Sequence, residues 1–137
     1  MISLEHAAIW TRNLEVLREF YTTRLGGVPN DKYVNPAKGF SSYFIRFGSG
    51  ARLELMSRDE IPENRNDRLQ AQHLGLIHLA FGVNTMAEVD QLAETFRASG
   101  MPILSGPRKT GDGYYEFETL DPDGNRLEIT APWNDTN

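Results

Sequence analysis

Apolar residues recur along this chain with two different periods. Alternation marks the strands: Ala7 and Ile9, Leu53 and Leu55, Ile77 with Leu79, Phe81 and Val83, and Leu127 with Ile129 each fall on one face of an extended segment. The helical period appears twice, in Leu14, Leu17, Phe20, Tyr21 and Leu25, and in Met86, Val89, Leu92, Ala93 and Phe96. Helices are therefore predicted at 13–25 and 85–99, with Asn13 and Thr85 as N-caps and Gly26-Gly27 and Gly100 as stops. Strands are predicted near 2–10, 28–34, 41–47 and 51–57, then near 75–83, 103–105, 114–120 and 125–131. The order is βαβββ written twice.

Residue identities repeat along with the pattern. Leu4-Glu5-His6-Ala7-Ala8-Ile9 matches Leu76-Ile77-His78-Leu79-Ala80-Phe81. After each helix comes Gly-x-Pro, as Gly27-Val28-Pro29 and Gly100-Met101-Pro102. Gly50-Ala51-Arg52-Leu53-Glu54-Leu55 then matches Gly124-Asn125-Arg126-Leu127-Glu128-Ile129. The offsets are 72 at the histidines, 73 at Gly-x-Pro and 74 at the glutamates, so the three matches run in register. Duplication accounts for this: module 1 over about 2–57, a polar connector over 58–74, and module 2 over about 75–131 of a single 1–137 domain. His73 has no counterpart in the first half and reads as a connector residue.

Alternation places His6, Glu54, His78 and Glu128 on the strand faces opposite the helix-packed residues. Taken singly, a strand histidine is commonly a satisfied polar group, and each glutamate has an arginine two residues away on its own face for a salt bridge. The repetition of His and Glu on the same face in both halves favours a shared task. Two imidazoles and two carboxylates make an N2O2 donor set suited to a first-row divalent ion. Asp121-Pro122-Asp123-Gly124 reads as a turn before the last strand.

Composition narrows the rest. The 137 residues contain no cysteine, which removes disulfides, thiolate-held metals and a thiol nucleophile. A net charge of −5 argues against a nucleic-acid partner. No apolar run approaches the roughly 18–20 residues that span a bilayer, and no export signal precedes the first strand, so a cytoplasmic location without membrane attachment is expected.

At these motifs the chain resembles the vicinal oxygen chelate superfamily, and within it the glyoxalase I (lactoylglutathione lyase) branch. The likeness runs over about residues 2–131, through "LEHAAIW", "RLEL", "GLIHLAFGV" and "DPDGNRLEI". It implies an α+β fold in which two βαβββ modules form an incomplete eight-stranded barrel around a metal site. It implies His6, Glu54, His78 and Glu128 as ligands to a divalent ion such as Ni, Co, Zn, Mn or Fe. It further implies a small-molecule substrate chelated through adjacent oxygens, proton transfer by way of an enediolate, Glu128 as base with Glu54 as its partner, and a homodimer. In glyoxalase I the modules pair across the dimer, and the connector here is compatible with that or with pairing inside one chain.

The resemblance has departures. Where glyoxalases of this kind carry an Arg and an Asn that grip glutathione, this chain has Trp10 and Arg58, so the substrate need not derive from glutathione. Gly106–Gly113 resembles the family's flexible basic loop. Extradiol dioxygenases and fosfomycin-resistance enzymes use two His and one carboxylate, and Glu54 counts against both. A methylmalonyl-CoA epimerase-like enzyme and a metal-free drug-binding protein of the bleomycin-resistance type are the other readings.

Overall fold

The computed structural model describes residues 1–63, 72 and 74–133. His73 and most of the 58–74 connector lie outside the described residues. The chain forms two compact units, Met1–Glu63 and Asn64–Asn137, each with one α-helix and one open sheet among the described residues.

In the first unit β1 (His6–Trp10) leads to α1 (Leu14–Thr23). Two short strands follow, β2 (Val28–Pro29) and β3 (Tyr33–Asn35), then β4 (Phe40–Arg46) and β5 (Arg52–Ser57). The sheet order is β1-β5-β4-β2, with β3 also on β4; β1 runs parallel to β5 and the other pairs are antiparallel. The single strand expected at 28–34 is thus split in two. The break has a local cause: Asn30 Oδ1 accepts the Phe44 amide at 2.8 Å, a bond that a neighbouring strand's carbonyl would otherwise make. Leu14, Leu17, Phe20 and Tyr21 of α1 are buried, as are Tyr43, Ile45, Leu53 and Leu55 on the sheet face that α1 covers.

The second unit repeats this plan with β6 (Leu79–Gly82), α2 (Met86–Ala98), β7 (Ile103–Lys109), β8 (Tyr114–Leu120) and β9 (Arg126–Pro132). Its sheet order is β6-β9-β8-β7, again with one parallel pair, β6 with β9. Val89, Ala93 and Phe96 of α2 form the core with Phe117, Leu127, Ile129 and Ala131, and the rings of Phe96 and Phe117 meet edge to face at 5.6 Å. Strand β6 is shorter than the predicted 75–83. Leu79 pairs with Leu127, and β9 begins at Arg126 just after a turn, so Leu76 and Ile77 pair with no strand among the described residues. Residues Met1–Glu5 stop short of β1 for the same reason, because β5 begins at Arg52, the partner of His6.

The two helix starts differ. Thr85 forms a full capping box with Glu88, whereas the Asn13 side chain makes no capping bond. No helix among the described residues is long and apolar enough to cross a membrane.

Candidate functional site

The sheet face opposite α1 is read row by row from the strand register. His6 pairs with Arg52 in the first row; in the next, Ala8 pairs with Glu54 and Glu54 with Phe44. His6 and Glu54 therefore stand one diagonal step apart, and Nε2 of the imidazole lies 3.7 Å from Oε1 of the carboxylate. The other imidazole nitrogen, Nδ1, contacts the Glu5 carboxylate, which also accepts from Arg52 Nε at 2.9 Å. These bonds to His6 and then Arg52 hold the Glu5 carboxyl below its ordinary range. With Nδ1 engaged, Nε2 is the nitrogen turned toward Glu54, the arrangement in which a ligand histidine is oriented by a carboxylate. The His6 ring also meets Phe44 edge to face at 5.3 Å.

The same register recurs in the second unit. Ala80 pairs with Glu128 as Ala8 does with Glu54. His78, the residue before β6, brings Nε2 to 3.2 Å from Glu128 Oε1. The glutamates are mostly buried, with side-chain exposures of 17% for Glu54 and 15% for Glu128, while the histidines are more open.

Two further carboxylates join Glu128. Glu118 faces it directly from β8, and Glu116 stands one row along, opposite Thr130. Oxygens of Glu116, Glu118 and Glu128 lie within 4.8 Å of one another. Glu116 is buried, which pushes its carboxyl up to about 7; the hydrogen bond it makes to Glu128 and the nearby Glu128 charge add to the rise. Burial also raises Glu128, and the bond from Glu116 partly offsets this. The ordinary balance is therefore a proton held between the two, resting chiefly on Glu116. Sequence reading passed over Glu116 and Glu118 because their counterparts in the first unit, Ser42 and Phe44, are not acidic. Their alternation in Tyr114-Tyr115-Glu116-Phe117-Glu118 was the available signal.

These donors fit a divalent ion. Ligands at adjacent corners of an octahedron with metal–ligand distances of about 2.1 Å lie about 3 Å apart. The two His–Glu separations of 3.7 and 3.2 Å are close to that spacing. Carboxylates this buried call for a cation or a proton. The buried Oγ1 of Thr130, one row from Glu128 on the same face, makes no hydrogen bond among the described residues.

Two other predicted features resolve differently. The first half of the segment expected as a flexible basic loop, Gly106–Gly113, belongs to β7, which runs to Lys109 through two register shifts against β8. Only a tight turn remains, in which Thr110 N donates to Tyr114 O at 2.7 Å. Hydrogen bonding to β8 converts the rest into strand. Asp121 does form a turn: its carboxylate accepts from the amides of Asp123 and Asn125, both at 2.9 Å.

A family model, the Glyoxalase/Bleomycin resistance protein/Dioxygenase superfamily, matches residues 3–129. The chain is 28% identical over 132 residues to an uncharacterized protein, YqjT, of Bacillus subtilis, covering 94% of this chain and 98% of that one. Among solved structures it resembles a glyoxalase/bleomycin resistance protein/dioxygenase domain from Frankia sp. EAN1pec, with a TM-score of 0.80 at 19% identity over 97% and 99% of the two chains. It also resembles the trypanothione-dependent glyoxalase I of Leishmania major, with a TM-score of 0.75 at 24% identity over 96% and 87%.

Proposed function

Because the chain belongs to the glyoxalase/bleomycin resistance protein/dioxygenase superfamily, we propose that it is a metal-dependent lyase or isomerase of the glyoxalase type. In this reading it moves a proton between neighbouring carbons of a small oxygen-chelating substrate, and it works as a cytoplasmic homodimer. The observation that carries the reading is the repeated pair: His6 with Glu54 and His78 with Glu128, each set by the same parallel register in its own unit.

His6, Glu54, His78 and Glu128 would hold the ion, drawn from Ni, Co, Zn, Mn or Fe. When bound, such an ion supplies Lewis acidity that makes a carbon-bound proton beside two adjacent oxygens easier to remove. The protein's own groups would carry the proton. Glu128 is the base in this reading: the shared proton rests chiefly on Glu116, whose hydrogen bond favours Glu128 as the ionised carboxylate that accepts a proton from carbon. Glu54 faces Phe44 instead of an acid, which suits a partner that positions substrate.

Metal analysis and an anaerobic assay test this. The purified protein should hold about one divalent ion per site, and a redox-inert ion should support exchange of the substrate's transferable hydrogen with solvent deuterium. Trial substrates are a glutathione hemithioacetal, other 2-hydroxycarbonyl compounds and a branched acyl-CoA. Ring cleavage of a catechol that requires Fe(II) and oxygen, without exchange at carbon, would overturn the assignment in favour of a dioxygenase.

A further inference from the structure

Beyond the row of Glu54, the face opposite α1 becomes aromatic. Trp10 pairs with Met56, Met56 lies across from Ser42, and Ser42 lies across from Tyr33. Phe40 stands at the start of β4, and its ring meets both Trp10 at 6.1 Å and Tyr33 at 6.0 Å. The Arg58 guanidinium sits 5.2 Å over the Trp10 ring and steadies the indole. One two-residue step along a strand is about 7 Å, so this platform begins one substituent's reach from Glu54. Trp10 is 39% exposed and Tyr33 53%, although the opposite face of the same sheet offers a closed core.

The second unit does not repeat this surface. Gly82 takes the place of Trp10, and Thr130 and Glu116 the places of Met56 and Ser42. Duplicated strands in one register thus carry flat apolar groups in one unit and acid–base groups in the other. A small apolar floor running directly into a few polar groups is the composition of a small-molecule site.

We propose that the substrate carries an aromatic, or similarly flat and apolar, substituent that seats on Trp10, Phe40, Tyr33 and Met56 while its oxygens lie toward His6 and Glu54. The inference rests on the metal-site reading of those two residues. It makes Trp10 and Phe40 specificity-determining residues without a part in proton transfer.

Two hydroxamates provide the test, since both chelate a metal through adjacent oxygens and differ only in a phenyl or a methyl group. Nickel-loaded protein is titrated with benzohydroxamate and acetohydroxamate, and the same ratio is measured for aqueous nickel. Stacking and burial of the ring should make benzohydroxamate about tenfold tighter on the protein, beyond the aqueous ratio. Trp10→Leu and Phe40→Leu should each lower that preference and leave nickel affinity unchanged, which also reports that the variants fold. A protein ratio equal to the aqueous one, or a preference untouched by both variants, overturns the inference and leaves the metal reading standing. Variants that alter sedimentation but not the ratio also overturn it, since the platform is then a contact between protein surfaces. Failure to bind nickel at all removes the metal reading and the inference with it.

Discussion

Glu116 hydrogen-bonds to Glu128 from the neighbouring strand, and the two carboxyls hold a proton that neither would keep in water. The folded state binds that proton up to about pH 7, whereas an unfolded glutamate releases it near 4.5. Between those values the folded chain carries more protons, so its stability falls as pH rises. Metal-free protein should lose roughly 5 °C of melting temperature between pH 5 and pH 8. Glu116→Gln should flatten that slope. A melting temperature that rises over the interval would contradict the buried shared proton.

The ligand assignment predicts a shared fate for four side chains. His6→Ala, Glu54→Gln, His78→Ala and Glu128→Gln should each strip most of the bound metal, and Glu94→Gln, on the exposed side of α2, should not. Metal content unaffected by all four changes would remove the proposed function.

Assembly is open to a mixing experiment. If units pair between chains, a heterodimer of His6→Ala and Glu128→Gln chains places both lesions in one site and leaves the other whole. Metal at one site per dimer is expected. No recovery in a heterodimer verified by mass spectrometry would point to pairing within one chain.

Helix capping should divide the two predicted N-caps. Thr85→Ala breaks a reciprocal box and should cost about 1 kcal/mol in denaturant unfolding. Asn13→Ala, with no side-chain bond to lose, should cost only a few tenths. Equal losses would mean that the capping bonds are not what stabilises α2.

The glycines predict a further contrast. A Cβ on Gly106, at φ +85°, would meet Glu116 O at 2.5 Å, and one on Gly27 would meet Ile45 Cγ2 at 2.3 Å and Tyr21 O at 2.9 Å. Gly100 has φ +76° and open space around it, so Gly100→Ala should cost about 1 kcal/mol from backbone strain alone. Gly27→Ala and Gly106→Ala should each cost more in equilibrium unfolding. The motif makes Gly27 and Gly100 equivalents, but Gly26 supplies the left-handed turn after α1 and Gly27 the close approach.

Periodicity and repetition were enough to place both helices, most strands, the helix-packed faces and the four candidate ligands, because alternation and the 3.6-residue repeat are properties of neighbouring residues. That Glu54 lies diagonally from His6, and Glu128 from His78, follows from the parallel register, which two strands more than forty residues apart settle only on pairing. The break at Asn30, the extension of β7 to Lys109 and the short β6 were likewise decided by which backbone groups found partners. Glu116 and Glu118 appeared in the sequence as two charges on an alternating strand. Only the folded sheet set them against Glu128, because burial and proximity, which raise a carboxyl's affinity for a proton, are properties of the packed chain rather than of its residues.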